Sequence, residues 1–242
     1  MEYRINKYLA LCGLGSRRKV EELILEGKIL INDKKITDLS KKINTDKDIV
    51  KYKNKVLNPI NKYTYLILNK PVGYVTSMND EKNRIIVMDL IPEKYRKEGV
   101  FPVGRLDKNS EGLLLLTNDG DLANKLNRPE YKIPKEYILE LDKPLETKEK
   151  KIIERGLFIH QLKLKTRPAK VEVLNDTHHL VKVTLKEGKK RQLRFTFQNL
   201  GFKVKKLVRI SYGPLNLTGL NKGSHRTLKG KEISQLKSLV KQ

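Results

Sequence analysis

Arg105, Asp107, Lys108 and Glu111 fall in one short stretch bracketed by Gly104 and Gly112, and the chain then runs directly into Leu113-Leu114-Leu115-Leu116. A carboxylate between two cations stays ionised, because opposite charges nearby favour its charged form. Held on a loop that rigid elements fix at both ends, such an aspartate can serve as a nucleophile or a base. The glycines let the backbone bend or approach another group closely. A strand-connecting turn with solvated charges accounts for the same residues, and residue types alone favour that reading slightly. Two further stretches carry chemistry, Arg17-Arg18-Lys19 and Gly188-Lys189-Lys190-Arg191-Gln192-Leu193-Arg194. Both read as basic helix starts, where free N–H groups and cationic side chains together suit an anion.

The elements that must position these residues follow from their periodicity. Leu113 to Leu116, stopped by Asn118-Asp119-Gly120, is too short for a helix and too uniformly apolar for a half-exposed strand, so it reads as a strand buried on both faces. Ile5, Tyr8, Leu9 and Cys12 share a helical face that Gly13 and Gly15 end. Behind Ser16 as N-cap, Val20, Leu23 and Ile24 form a second helix with Gly27 at its C-terminal cap. Arg17, Arg18 and Lys19 then sit in its first turn, where each cation costs a few tenths to about 1 kcal/mol against the helix dipole. An external phosphate offsets that cost; a solvated basic surface is the alternative. Lys28 to Asn32 reads as a strand entering a turn, and Asp48 to Lys53 as another strand.

Lys55 to Lys62, with Asn58-Pro59, reads as a linker, giving domains at 1–58 and 59–242. In the second, Tyr63 to Leu68 is an apolar strand that ends in the turn Asn69-Lys70-Pro71-Val72-Gly73. Asp121 to Leu126 is a short helix. Alternation places Tyr137, Leu139 and Leu141 on one strand face, and Thr147 to Arg155 is an exposed helix capped by Gly156. Leu162–Lys165, Val171–Leu174 and Leu180–Leu185 alternate like strands of an antiparallel sheet. Leu193, Phe197 and Leu200 share a helical face that Gly201 ends, and Arg191 and Arg194 share another. Val204 to Ile210 is a strand, and Ile233, Leu236 and Val240 mark a final helix.

Composition limits the function classes. Lys and Arg outnumber Asp and Glu by 52 to 28 over 242 residues, a formal charge of +24 spread along the whole chain. The expected partner is a polyanion, bound by attraction to phosphate that carries no sequence information. No run of about 18 apolar residues exists for a membrane span, and the N-terminus lacks a signal-like apolar core, which predicts a cytoplasmic protein with no membrane partner. One cysteine, Cys12, excludes an internal disulfide, and the histidines at 160, 178, 179 and 225 have no ligand-like spacing with it, so no metal site is expected. Gly13-Leu14-Gly15 lacks the third glycine of a phosphate-cradling fingerprint and no Walker-type Gly-Lys-Ser/Thr occurs, so nucleotide hydrolysis is unsupported. Nothing in the spacing pairs a second carboxylate with Asp107 for glycosidase chemistry.

Gly104-Arg105-Leu106-Asp107 followed by Gly112 to Gly120 resembles the central motif of the ribosomal small-subunit pseudouridine synthase A family. Asn69-Lys70-Pro71-Val72-Gly73 is similar to that family's first motif, which supports the active-site loop, and Asp89-Leu90-Ile91-Pro92 to its segment before the central motif. Residues 1 to 56 resemble the small RNA-binding domain of ribosomal small-subunit protein four. The resemblance implies an α+β chain: a small N-terminal α/β RNA-binding domain, then a mixed, mainly antiparallel sheet with flanking helices. It implies that Asp107 is the nucleophile, that Tyr137 stacks on an extruded base, that Arg194 pairs with Asp107, and that Leu207 packs on the uracil.

Arg17, Arg18, Lys19, Arg105, Lys189, Lys190 and Arg191 are the expected RNA contacts. The family usually places a second Arg directly after the position of Arg194, where this chain has Phe195-Thr196. The implied reaction isomerises a uridine of ribosomal RNA to pseudouridine without a cofactor, in a monomer, with large-subunit RNA favoured over small-subunit RNA. A non-catalytic ribosome-assembly factor is the alternative from another class, and a synthase acting on transfer RNA is a third.

Overall fold

The computed structural model describes residues 2–60, 62–80 and 82–241. The chain forms two compact units, one running to Thr64 and taking in Glu93–Val100, the other made of Tyr65–Pro92 and the chain from Phe101 onward.

The first unit contains β1 (Glu2–Arg4), α1 (Ile5–Leu11), α2 (Arg17–Leu25), β2 (Ile29–Ile31), β3 (Lys34–Ile36), β4 (Lys42–Asn44), β5 (Val50–Tyr52) and β6 (Lys55–Val56). Ile5, Tyr8 and Leu9 of α1 and Val20, Leu23 and Ile24 of α2 pack with Ile29, Ile31, Ile43 and Val50 into one core, as the helical and strand periodicities require. Ser16 caps α2 by accepting the Lys19 N–H at 3.3 Å. At the other end Gly27, with φ +63°, lets its own N–H reach Ile24 O and the Lys28 N–H reach Leu23 O, which satisfies the last carbonyls of the helix. Asn32 and Asp33, both at positive φ, turn β2 into β3, and β2 is sandwiched between β3 and β5. Ile60, just beyond 58, bonds within this unit: its N–H donates to Leu11 O at 2.9 Å.

The second unit opens with β7 (Tyr65–Lys70); the helix α3 (Glu93–Lys97) that follows it in sequence packs with the first unit. Then come β8 (Phe101–Pro102), β9 (Glu111–Thr117), α4 (Gly120–Asn127), β10 (Lys135–Leu141), α5 (Thr147–Arg155), β11 (Phe158–Ile159), β12 (Leu164–Lys165), β13 (Lys170–Val173), β14 (Leu180–Leu185), α6 (Gln192–Asn199), β15 (Val204–Tyr212), β16 (Leu215–Asn216), β17 (His225–Thr227) and α7 (Gly230–Ser238). The main sheet has the order β13-β14-β10-β15-β9-β7-β17 and is antiparallel except for the central β15–β9 pair, which is parallel. All of β9 is buried, as its unbroken apolar run predicts. Leu122, Ala123 and Leu126 of α4 and Leu236 of α7 pack against Tyr65, Ile67, Leu113 and Leu115 of the sheet.

The parallel pair depends on one glycine. Gly112 has φ +106°, and a Cβ there would lie 2.2 Å from Arg209 O. Only a residue without a side chain lets β15 approach at that point. One expectation needs correcting. Arg191 does not share a helical face with Arg194: it precedes α6 with a left-handed backbone, φ +53°, so its side chain leaves the chain before the helix begins.

Candidate active site

The loop joining β8 to β9 carries Arg105, Leu106 and Asp107, and five successive carbonyls along it are held. Leu106 is buried, and the hydroxyl of Thr76 both donates to Leu106 O at 2.8 Å and accepts the Leu106 N–H at 3.3 Å. The Asp107 carbonyl accepts from the Ser110 N–H at 3.0 Å and from Lys70 Nζ at 3.1 Å. Lys108 O accepts from the Gly73 N–H at 2.9 Å, and Asn109 O from the Arg194 guanidinium at 2.7 Å. Ser110 O accepts from Lys70 Nζ at 2.7 Å. Each such bond contributes about 1 kcal/mol net, and bonds from cations more, so together they favour this conformation of the loop.

The side chain of Asp107 is left out of that network. Among the described residues nothing donates to its carboxylate, and it lines an open cavity of about 450 Å³, inside the ~300–1,000 Å³ typical of small-ligand sites. Tyr137 and Leu207 line the same cavity. Tyr137 pairs with Arg209 and Leu139 with Leu207 across the β10–β15 ladder, so Tyr137 and Leu207 stand side by side on one sheet face. Leu185 and Leu193 add apolar surface. Gly188, Lys189, Lys190 and Arg191 form a basic wall, exposed at every one of these residues, and Arg105 is exposed at the rim.

That wall is tied down from below. The buried Gln192 donates to Glu187 Oε1 at 2.6 Å and accepts the Lys189 N–H at 3.1 Å, while Glu187 Oε1 also takes the Arg167 N–H at 2.9 Å. The guanidinium of Arg191 lies 5.6 Å from the centre of the Phe195 ring, and Thr196 is buried, so the departure at Phe195-Thr196 supplies a ring under one arginine in place of a second one.

Arg194 donates to Asn109 O and, at 2.9 Å, to Val204 O. Its guanidinium and the Asp107 carboxylate attract each other but make no ion-pair contact. Burial first, then the neighbouring Arg191, lower its proton affinity, and Asp107 opposes both. In the first unit Arg17 and Arg18 are exposed in the opening turn of α2, while Lys19 is paired with Glu22 at 2.8 Å.

Several residues that shape the site are silent or only partly legible in the sequence, Lys70 through the Asn69-Lys70-Pro71-Val72-Gly73 motif alone. Lys70 is fully buried, and burial pushes its ammonium down to about 8 from 10.5, against attraction from Asp107 and Glu111. Its acceptors are backbone carbonyls, which no residue pattern encodes. Thr76 is silent. Lys135, driven to about 8 by burial and by Arg209, and Arg209 itself, which donates to Leu113 O at 2.7 Å, flank Tyr137 on the sheet face. Only the Lys135-Glu136-Tyr137 spacing hints at the first of these.

A partner-free carboxylate on a rigid loop, an aromatic and aliphatic wall and a basic wall, joined in one chain to a helix–hairpin unit with an arginine-led helix start, define an enzyme that acts on a nucleic acid. The family model for RNA pseudouridylate synthase matches residues 64–199, and that for the S4 domain matches residues 4–50. An uncharacterised RNA pseudouridine synthase of Aquifex aeolicus (strain VF5) is 40% identical over 98% of this chain and 94% of its own. The ribosomal large subunit pseudouridine synthase B of Bacillus subtilis (strain 168) is 39% identical over 98% and 96%. A crystal structure of a pseudouridylate synthase superposes with a TM-score of 0.71 at 28% identity, covering 96% of this chain and 99% of that one. The chain belongs to the RNA pseudouridylate synthase family. It is therefore an isomerase with RNA as its substrate, and the RNA-binding S4 domain occupies the N-terminal unit. No helix among the described residues is long and apolar enough to cross a membrane.

Proposed function

We propose that the protein converts a specific uridine of ribosomal RNA to pseudouridine, with large-subunit RNA as its substrate and Asp107 as its nucleophile. The observation that carries this reading is the Asp107 carboxylate, free of protein partners at the cavity while five carbonyls around it are fastened. The subunit preference rests on likeness to the large-subunit enzyme of Bacillus subtilis, in place of the small-subunit family that the central motif resembles.

In this reading the target uridine leaves its helix or loop at a cost of a few kcal/mol, which contacts to phosphate offset. Its base lies on the Tyr137 ring and against Leu207. Asp107 attacks the ribose anomeric carbon or the base. The N1–C1′ bond breaks, the base turns within the cavity, and C5 bonds to C1′; the proton leaving C5 balances the one gained at N1. The product is an isomer of the substrate nucleotide, so the reaction draws on no external energy source. Arg194 holds the loop at Asn109 and attracts the Asp107 carboxylate through its charge.

Arg105, Lys189, Lys190 and Arg191 grip phosphates around the target, while Arg17, Arg18 and Lys19 of an RNA-binding domain over residues 1–58 hold a more distant part of the RNA. The catalytic domain is then 59–242, and the enzyme works as a cytoplasmic monomer.

Purified protein incubated with 5-tritiated transcripts of each ribosomal RNA tests the substrate, because forming the C5–C1′ bond releases the C5 tritium. Release from a large-subunit fragment and none from small-subunit RNA is the expected outcome. The reverse pattern would overturn the subunit assignment, and RNA binding without release from either would favour an assembly factor.

A further inference from the structure

Glu111 is a buried carboxylate for which the reaction has no use. It begins β9 at the end of the catalytic loop, opposite Val208 of β15 and one residue from Gly112, the register partner of Lys70 on β7. Its side chain is 7% exposed, and one oxygen lies 2.5 Å from Lys222 Nζ, off the line of a hydrogen bond. The segment bearing Lys222 is fixed by three bonds to Asn69: its side-chain amide donates to Leu220 O at 2.8 Å, its N–H to Ser224 O at 3.0 Å, and its carbonyl accepts from the Gly223 N–H at 2.8 Å. Lys222 itself is 59% exposed.

We propose that Glu111 is a positioning residue that acts through Lys70: it is the lasting counter-charge that keeps the Lys70 ammonium protonated and the catalytic loop fastened. The inference rests on Asp107 being the nucleophile. Lys70 is fully buried and donates to the carbonyls of Pro71, Asp107 and Ser110 at 3.1, 3.1 and 2.7 Å, with Lys108 O a fourth, longer acceptor at 3.4 Å. An ammonium has three N–H groups to share among those four oxygens; a neutral amine has two, and its lone pair would face a carbonyl. The charged form is therefore the one that closes the loop, although burial opposes it.

Two carboxylates lie close to that ammonium, since Lys70 Nζ bonds to the backbone carbonyl of Asp107 and to that of Ser110, the residue directly before Glu111, and both negative charges favour the charged form. Asp107 cannot do so throughout the cycle, because its negative charge disappears when the carboxylate bonds to the nucleotide. During that interval Glu111 is the remaining counter-charge, and Lys222 shares it. The buried ammonium sits near neutrality, at about 8, so loss of Glu111 reaches into the working pH range. The direction separates this from unfolding. With the folded value below the ordinary 10.5, the unfolded chain binds more protons between pH 8 and 10.5, and the contribution of Lys70 to stability rises with pH over that window. Activity lost there through Lys70 is not lost through melting.

The test combines single-turnover pH profiles, RNA affinity and an NMR titration of the Lys70 side chain in the full-length protein, comparing wild type with Glu111→Gln, Glu111→Asp and Lys222→Met. Glu111→Gln is expected to lower the Lys70 titration and the alkaline limb of the rate together by about one pH unit, a tenfold loss above it, with RNA affinity unchanged. Glu111→Asp should restore both, and Lys222→Met should move both upward, since Glu111 then acts on Lys70 alone. A uniform rate loss at every pH with the Lys70 titration unmoved would show a packing role and overturn the proposal. So would an unmoved limb, which would belong to the uracil imide of the substrate. The titration needs no turnover, so an active Asp107→Asn enzyme would defeat the functional reading while leaving the Glu111–Lys70 coupling to be judged separately.

Discussion

At the scale of single residues, the site is a division of labour between backbone and side chain. The carbonyls of the loop from Leu106 to Ser110 are taken up by Thr76, Lys70, Gly73 and Arg194, while no described residue donates to the Asp107 carboxylate. Thr76 shows how much rests on one hydroxyl, because it alone serves both the N–H and the C=O of the buried Leu106. Thr76→Val keeps the shape and removes both bonds. It is expected to cost about 2 kcal/mol in urea unfolding and to slow single turnover by about tenfold or more, since small misplacements of a reacting group are expensive. RNA affinity should stay level; a Thr76→Val enzyme with wild-type turnover would mean that the loop is not held from Leu106. Of what holds the loop, only Lys70 is legible in the residues, through the Asn69-Lys70-Pro71-Val72-Gly73 motif read as a support of the loop. Asp107 between two cations was legible, but Thr76 and Lys70 act on backbone atoms some thirty to forty positions away, and such contacts leave no pattern in a sequence.

At the scale of elements, the local rules worked where local physics decides. Ser16 and Gly27 bound α2, Thr147–Arg155 is a helix ended by Gly156, and Tyr137, Leu139 and Leu141 share a buried face. They stopped where an element's place depends on distant chain. The parallel pairing of β15 with β9 is one such case, as is the packing of Glu93–Val100 with the N-terminal unit. Arg191 is another: apolar spacing at Leu193, Phe197 and Leu200 marks the helix but not the left-handed residue that starts it. Gly112 joins the two scales, since its missing side chain admits the backbone of Arg209. Gly112→Ala puts a Cβ 2.2 Å from Arg209 O at an unfavourable φ, and we expect a loss of about 3 kcal/mol or more, or no folded protein. A Gly112→Ala protein with wild-type thermal unfolding would contradict the β9–β15 contact.

At the scale of the whole molecule, a formal charge of +24 far exceeds what one uridine requires, and the S4 domain gives part of it a task. Arg17 and Arg18 are exposed without acidic residues in their turn of α2, whereas Lys19 is already paired. Replacing both arginines by Ala should lower the slope of log affinity against log salt by about 1.5, since each phosphate contact contributes roughly 0.7–0.9. Single-turnover rates at saturating protein should be retained. An unchanged slope in anisotropy titrations would remove these two residues from the interface.

The central claim is that Asp107 performs the chemistry, and it is tested most directly by a pseudouridine map of ribosomal RNA from cells lacking the gene, rescued with wild type or with Asp107→Asn. One large-subunit site is expected to disappear, to return with wild type, and to stay absent with an Asp107→Asn protein that still binds RNA. Restoration of that site by Asp107→Asn would contradict it.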